Sequence, residues 1–178
     1  ISKNFLNLDN EVRIGNFKNN MNKFETFELH NKEILIVGFG RIGKNLIKKC
    51  LAFQMNVKVY DPFVEEKIIN DMGGKKVDNF DDSLKTLDFL SLHMPLNKNT
   101  KDLIDLKKMK TMKNTSVIIN TARGGIINEA DLNQAVNEKT ILGAGLDVFS
   151  TEPIDSNSPL LKNKRIILSP HTAALTNE

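Results

Sequence analysis

Three side chains suited to acid–base and carboxylate chemistry stand just beyond short apolar runs. Val117-Ile118-Ile119-Asn120 leads to Thr121-Ala122-Arg123-Gly124-Gly125, and Gly143–Phe149 leads to Ser150-Thr151-Glu152-Pro153. Ile166-Ile167-Leu168-Ser169 leads to Pro170-His171-Thr172-Ala173-Ala174. An arginine fork matches a carboxylate with parallel hydrogen bonds and polarises the oxygen beside it. A histidine exchanges a hydroxyl proton near neutral pH, and a carboxylate paired with it orients the ring and favours the imidazolium. Together Arg123, Glu152 and His171 suit interconversion of a 2-hydroxy acid and a 2-oxo acid by hydride transfer. Arginine is scarce here, with Arg13, Arg41, Arg123 and Arg165 the only four among 25 basic residues. Two of them fall in motifs, which points to a need for guanidinium geometry. Singly, each of the three has a plainer reading as a loop arginine, a turn glutamate or a surface histidine; a cofactor loop upstream favours the chemical one.

That loop is Gly38-Phe39-Gly40-Arg41-Ile42-Gly43, reached directly from Ile34-Leu35-Ile36-Val37 and followed by a helical pattern. The first glycine permits a sharp turn, the second lets backbone approach a pyrophosphate, and the third lets the helix pack on the strand. The helix N-terminus adds N–H groups and positive potential. Val57-Lys58-Val59-Tyr60 then ends in Asp61-Pro62. An acid about twenty positions past the glycines is placed for a ribose hydroxyl, and its charge opposes a 2′-phosphate. The expected cofactor is NAD rather than NADP, and no metal is expected.

Positioning these groups requires strands that end where they stand. Strands are predicted at Glu33–Val37, Val57–Tyr60, Lys75–Val77, Phe89–Leu92, Val117–Asn120, Gly143–Asp147 and Ile166–Leu168. Helices are predicted at Arg41–Phe53, Val64–Met72, Asp82–Leu87, Asp105–Met112 and Asn128–Asn137, with Asn128 as an N-cap. The alternation, with several strands apolar throughout, predicts an α/β fold with a doubly wound, mostly parallel sheet, a Rossmann fold. Ligands of such sheets bind at the carboxyl ends of the strands, where the winding reverses. Residues 1–30 read as an N-terminal arm or connecting helix, and 31–178 as the nucleotide-binding domain.

Composition sets the remaining bounds. With 178 residues, 40% hydrophobic and 26% charged, the chain has room for one domain with a full core. A net charge of +3 from scattered lysines does not suggest nucleic-acid binding. Apolar runs such as Ile34–Val37 are far too short to span a bilayer. The one cysteine, Cys50, follows Leu46 and Ile47 at helical spacing, so it reads as a core residue. With no disulfide framework and no targeting pattern, a cytoplasmic location is expected.

From about Asn31 to Ala174 the chain resembles the D-isomer-specific 2-hydroxyacid dehydrogenases, nearest to their phosphoglycerate dehydrogenase and hydroxypyruvate reductase branch. The resemblance rests on Gly38–Gly43, Asp61-Pro62, Leu92-His93-Met94-Pro95-Leu96, Asn120–Gly125, Leu146–Phe149 with Glu152-Pro153, and Ser169–Ala174. It implies Arg123, Glu152 and His171 as the catalytic trio. It implies cofactor contacts from Arg41 and Ile42 at the pyrophosphate, Asp61 at the ribose, and Met94 and Pro95 along the cofactor. Thr121, Ala122 and Asp147, with the backbone of His171, Thr172, Ala173 and Ala174, would lie nearer the nicotinamide. His93 is expected to be structural or cofactor-adjacent, because the acidic partner accompanies His171. Asn97 stands where the family usually has threonine.

The family inserts its cofactor domain within a substrate domain formed by both ends of the chain. Residues 1–30 are too few for that domain and nothing follows Glu178, so the sequence reads as part of a longer protein whose substrate domain is absent. Binding of cofactor is expected of this part, efficient turnover is not. The resemblance also implies a homodimer and a small 2-hydroxy or 2-oxo acid as substrate. Formate dehydrogenases of similar architecture pair their histidine with glutamine, and Glu152 argues against them. An NAD(H)-sensing corepressor or scaffold of the same fold would retain every motif named.

Overall fold

In the computed structural model, residues 1–17 and 26–175 are described. The middle of the expected N-terminal arm, 18–25, and the last three residues lie outside them. Helix α1 (Phe5–Arg13) buries none of its own residues. Phe27, near the end of the expected arm, packs its ring 5.9 Å from that of Phe89. The alternating part of the chain then forms β1 (Glu33–Val37), α2 (Arg41–Ala52), β2 (Asn56–Tyr60), α3 (Glu66–Asp71), β3 (Lys75–Lys76), α4 (Phe80–Leu84) and β4 (Phe89–Leu92). It continues with α5 (Leu106–Met109), β5 (Val117–Asn120), α6 (Glu129–Asn137), β6 (Gly143–Leu146), a 3₁₀ turn at Pro159–Lys162 and β7 (Ile166–Leu168).

All seven strands join one sheet in the order β3-β2-β1-β4-β5-β6-β7, and every pairing is parallel. The chain winds outward from β1 to β3, returns to pair β4 with β1, and winds the other way to β7. The reversal falls between β1 and β4, as the alternation requires of a doubly wound sheet.

Side chains alternate across the sheet, so an apolar strand serves two cores. Ile34, Ile36, Val57, Val59, Phe89 and Val117 face Ile47 and Cys50 of α2 and Ile69 of α3. Leu35, Val37, Leu90, Leu92, Ile118 and Ala144 face Met109 of α5 and Leu132, Ala135 and Val136 of α6. Cys50 is buried, and burial pushes its thiol above the usual range. It is a core residue, as its spacing predicts.

Element ends differ from the predicted ones by a few residues where capping decides them. Asn79 accepts from the Asp82 amide at 3.0 Å, so α4 starts two residues earlier than expected. Asp105 accepts from the Lys108 amide at 2.8 Å and opens α5. Asn128 caps α6 through the Asp131 amide at 3.1 Å, as predicted. Asp147 leaves β6 one residue sooner than expected, although its amide still donates to the Asn120 carbonyl at 3.0 Å. Among the described residues, no helix is long and apolar enough to cross a membrane.

Candidate active site

At the point where the winding reverses, Gly38 leaves β1 with φ of +92°. The His93 amide donates to the Val37 carbonyl at 2.7 Å. A side chain at Gly38 would bring its Cβ within 2.7 Å of the His93 carbonyl oxygen. The left-handed conformation and the closeness of β4 together require glycine there. Gly43 packs against the same turn, its missing Cβ lying 2.4 Å from the Gly38 carbonyl oxygen. Gly40, the N-cap of α2, has no heavy atom within 4 Å of where a Cβ would stand. No side chain caps α2, and Arg41 and Ile42 are exposed at its first turn. Open space above a glycine, facing an uncapped helix N-terminus, fits a diphosphate.

Asp61 connects that loop to the end of β2. Its Oδ2 accepts from the Phe39 amide at 2.7 Å, and its Oδ1 from the Phe63 amide at 2.9 Å. Each carboxylate oxygen retains a lone pair, so a ribose diol fits an acceptor already held in place. Met94 is half-buried and Pro95 exposed just past β4, on the same edge of the sheet. His93 is half-buried just past the end of β4. Its Nε2 pairs with Ser91 Oγ at 2.8 Å, its buried Nδ1 has no partner, and burial pushes the imidazole below its ordinary value. Its backbone seats the glycine turn.

The Arg123, Glu152 and His171 segments come from three adjacent strands. Asn120 aligns with Leu146, and Leu146 with Leu168, so β5, β6 and β7 end level. Glu152 Oε2 lies 2.8 Å from His171 Nδ1, and Glu152 Oε1 accepts from the Phe149 amide at 3.0 Å. The His171 bond, then the Phe149 amide, hold the Glu152 carboxyl below the usual carboxylate range. The exposed Arg123 donates through Nη1 to the Ala122 carbonyl at 2.5 Å, leaving Nε and Nη2 for an incoming carboxylate. Gly124 brings the Arg123 loop against the Glu152 loop: a Cβ on it would stand 1.7 Å from the Phe149 carbonyl oxygen. Glu129, in the first turn of α6, accepts from the Ser150 amide at 2.5 Å and ties the same loop down again.

Asp147 ties the end of β6 to the His171 turn. It is 3% exposed. Its Oδ1 accepts from Ser169 Oγ at 2.6 Å and the Thr172 amide at 2.9 Å, and its Oδ2 from the Ala173 amide at 2.9 Å. Burial opposes its charge, but the Ser169, Ala173 and Thr172 bonds outweigh it and hold the carboxyl below the ordinary value. The Asp147 carbonyl also accepts from the His171 amide at 2.8 Å, and His171 adopts φ of +53°. Asp147 therefore folds the turn that presents His171, and occupies the Thr172 and Ala173 amides in doing so. Thr121 is half-buried, Ala122 buried and Ala174 exposed along the same edge. Asn97 caps its own turn, its Oδ1 accepting from the Asn99 amide at 2.8 Å and the Thr100 amide at 3.1 Å.

Sequence reasoning gave no part in the site to Asn120 or Ser169, and read Glu129 only as an acid in the first turn of its helix. Their one signal is a polar residue at the end of an apolar run or in a first helical turn, which alone does not distinguish a tie from a cap.

Comparison with known proteins agrees with this arrangement. Residues 1–173 match the family described as D-isomer specific 2-hydroxyacid dehydrogenase, NAD binding domain. The D-3-phosphoglycerate dehydrogenase of Methanocaldococcus jannaschii is 39% identical over 156 residues, covering 88% of this chain and 30% of that protein. The glyoxylate reductase of Thermococcus litoralis is 41% identical over 155 residues, covering 87% of this chain and 46% of that protein. A structure of D-lactate dehydrogenase from Aquifex aeolicus with NAD and lactic acid superposes with a TM-score of 0.90 at 29% identity, covering 99% of this chain and 56% of that one. The chain thus spans less than two thirds of the relatives it matches. With the glycine loop, Asp61 and the Glu152–His171 pair in place, it belongs to the NAD binding domain family of the D-isomer specific 2-hydroxyacid dehydrogenases.

Proposed function

We propose that the protein containing this chain interconverts a D-2-hydroxy acid and the corresponding 2-oxo acid with NAD(H). The observation that carries this reading is the 2.8 Å pairing of Glu152 with His171, on the same sheet edge as the Arg123 loop and the nucleotide loop. NAD, held by Gly38, Gly40, Arg41, Ile42, Gly43 and Asp61, would supply or accept the hydride at the substrate carbon. Glu152 holds Nδ1 of His171 and leaves Nε2 to exchange a proton with the substrate oxygen. Arg123 meets the substrate carboxylate, which fixes the reacting carbon relative to His171. Asp61 opposes a 2′-phosphate by like charge, so NADH is preferred over NADPH.

Assay of the intact protein on a panel of 2-oxo acids, with NADH and then NADPH, tests the reading. Turnover of at least one acid, faster with NADH, is expected. NADH binding with no turnover of any acid would favour a nucleotide-sensing role and overturn it.

The same reading places the protein in the reducing cytoplasm, consistent with one buried thiol, and makes it a homodimer. Phe5, Leu6, Val12, Ile14 and Phe17, on and just after α1, are 54–70% exposed. Apolar side chains left uncovered on and just after one short helix call for a partner surface. Sedimentation of the intact protein should give twice the monomer mass; a monomer at micromolar concentration would remove this part.

A further inference from the structure

The Arg123 side chain is exposed and borne on a loop, yet its proposed task needs placement to a fraction of an ångström. What fixes it lies three residues behind, at the end of β5. Asn120, the last residue of β5, is 2% exposed. Its Oδ1 accepts from the Ala122 amide at 3.0 Å, and its Nδ2 donates to the Arg123 carbonyl at 2.9 Å. Its own carbonyl accepts from the Asp147 amide at 3.0 Å, and its backbone pairs with Leu92 and Leu146 on either side. The carboxamide is therefore anchored to the middle of the sheet while both of its ends hold loop backbone.

We infer that Asn120 is a positioning residue: its buried carboxamide fixes the backbone from Ala122 to Arg123, and through it the guanidinium that meets the substrate carboxylate. The inference rests on the reaction proposed above. Asparagine is the side chain this place needs. Leucine has a similar shape but would leave the Ala122 N–H and the Arg123 carbonyl without partners. Aspartate would keep the acceptor for Ala122 but turn a second oxygen toward the Arg123 carbonyl. Gly124, pressed against the Phe149 carbonyl, holds the loop from the other side, so slack at Asn120 is taken up at Arg123.

The test is a double-mutant cycle in the intact protein, combined with amide exchange. Asn120→Ala should lower kcat/KM for the 2-oxo acid by about 10–100-fold, the cost of an ångström-scale misplacement. NADH binding should weaken by less than kcat/KM falls, because the glycine loop and Asp61 lie away from Asn120. In an Arg123→Ala background the same change should cost no more than about twofold, because the group it positions is gone. The Ala122 amide should lose its protection from hydrogen exchange in Asn120→Ala and keep it in Asn120→Asp. The Asp variant, which retains the shape and the Ala122 bond, should still lower kcat/KM and serves if the Ala variant does not fold. Equal losses in both backgrounds, or unchanged exchange at Ala122, overturn the inference. A wild-type protein without turnover instead defeats the proposed reaction, and the exchange measurement then decides whether the clamp exists.

Discussion

Replacing His171 by Ala in the intact protein is expected to lower kcat for its 2-oxo acid by about 10²–10⁴, the usual worth of a positioned acid–base group. NADH binding should survive, because the glycine loop and Asp61 belong to β1 and β2, on the far side of the winding reversal from β7. The loss should fall on kcat more than on KM, since proton transfer to the substrate oxygen is made in the transition state. Glu152 acts through the ring it holds. Its carboxyl is held below the usual range, first by the bond to His171. A carboxyl lowered in this way contributes its pairing energy above the ordinary carboxylate value and loses it as pH falls through the lowered one. In the wild type the pair should therefore persist into mildly acidic solution, and Glu152→Gln should remove that acidic limb from the pH profile of kcat. Wild-type turnover in His171→Ala would falsify the assignment of acid–base chemistry to this side chain.

Gly124→Ala should be nearly as damaging, by another route. The added Cβ would stand 1.7 Å from the Phe149 carbonyl oxygen, 2.0 Å from its carbon and 2.6 Å from the Ser150 nitrogen. All three atoms are backbone, so no flexible side chain can swing away, and Glu129 and Glu152 hold that backbone by hydrogen bonds to Ser150 and Phe149. The β5 and β6 loops must part. Overpacking of this kind costs about 1–3 kcal/mol and occasionally more, which for a domain of this size lowers Tm by about 2–12 °C. The displaced neighbour is Arg123, so kcat/KM should drop by about 10² or more even where the protein stays folded. Thermal unfolding and steady-state kinetics on one preparation separate the two effects. Unchanged values of both would mean that the loops are not in contact in solution.

Much of this arrangement was legible in the residues, for identifiable reasons. A strand running into Gly38–Gly43 and a second ending at Asp61 are local patterns, set by turn sterics and period. The end-of-strand positions of Arg123, Glu152 and His171 follow from apolar runs of four residues or fewer. What stayed hidden depends on register between segments far apart in the chain. Asp147 and Ser169 are 22 positions apart, and Asp147 and Ala173 are 26 apart. Only the alignment of β6 with β7 shows that Asp147 also holds the histidine turn. Asn120 likewise passes for the tail of an apolar run until its burial shows that both ends of the amide are in use. The earlier start of α4 is the milder case: Asn79 is a capping residue type, and the predicted helix opens at Asp82, the residue whose amide Asn79 accepts.

The level ends of β5, β6 and β7 have a practical consequence. Arginine, acid and histidine all ride on one slab of sheet, cross-tied by Gly124, Glu129 and Asp147, so their mutual spacing does not depend on how another part of the protein swings toward them. For an engineer this separates two problems. Surfaces that contact the variable end of a substrate can be exchanged or evolved as a cartridge, while the trio proposed for the chemistry is carried over unaltered.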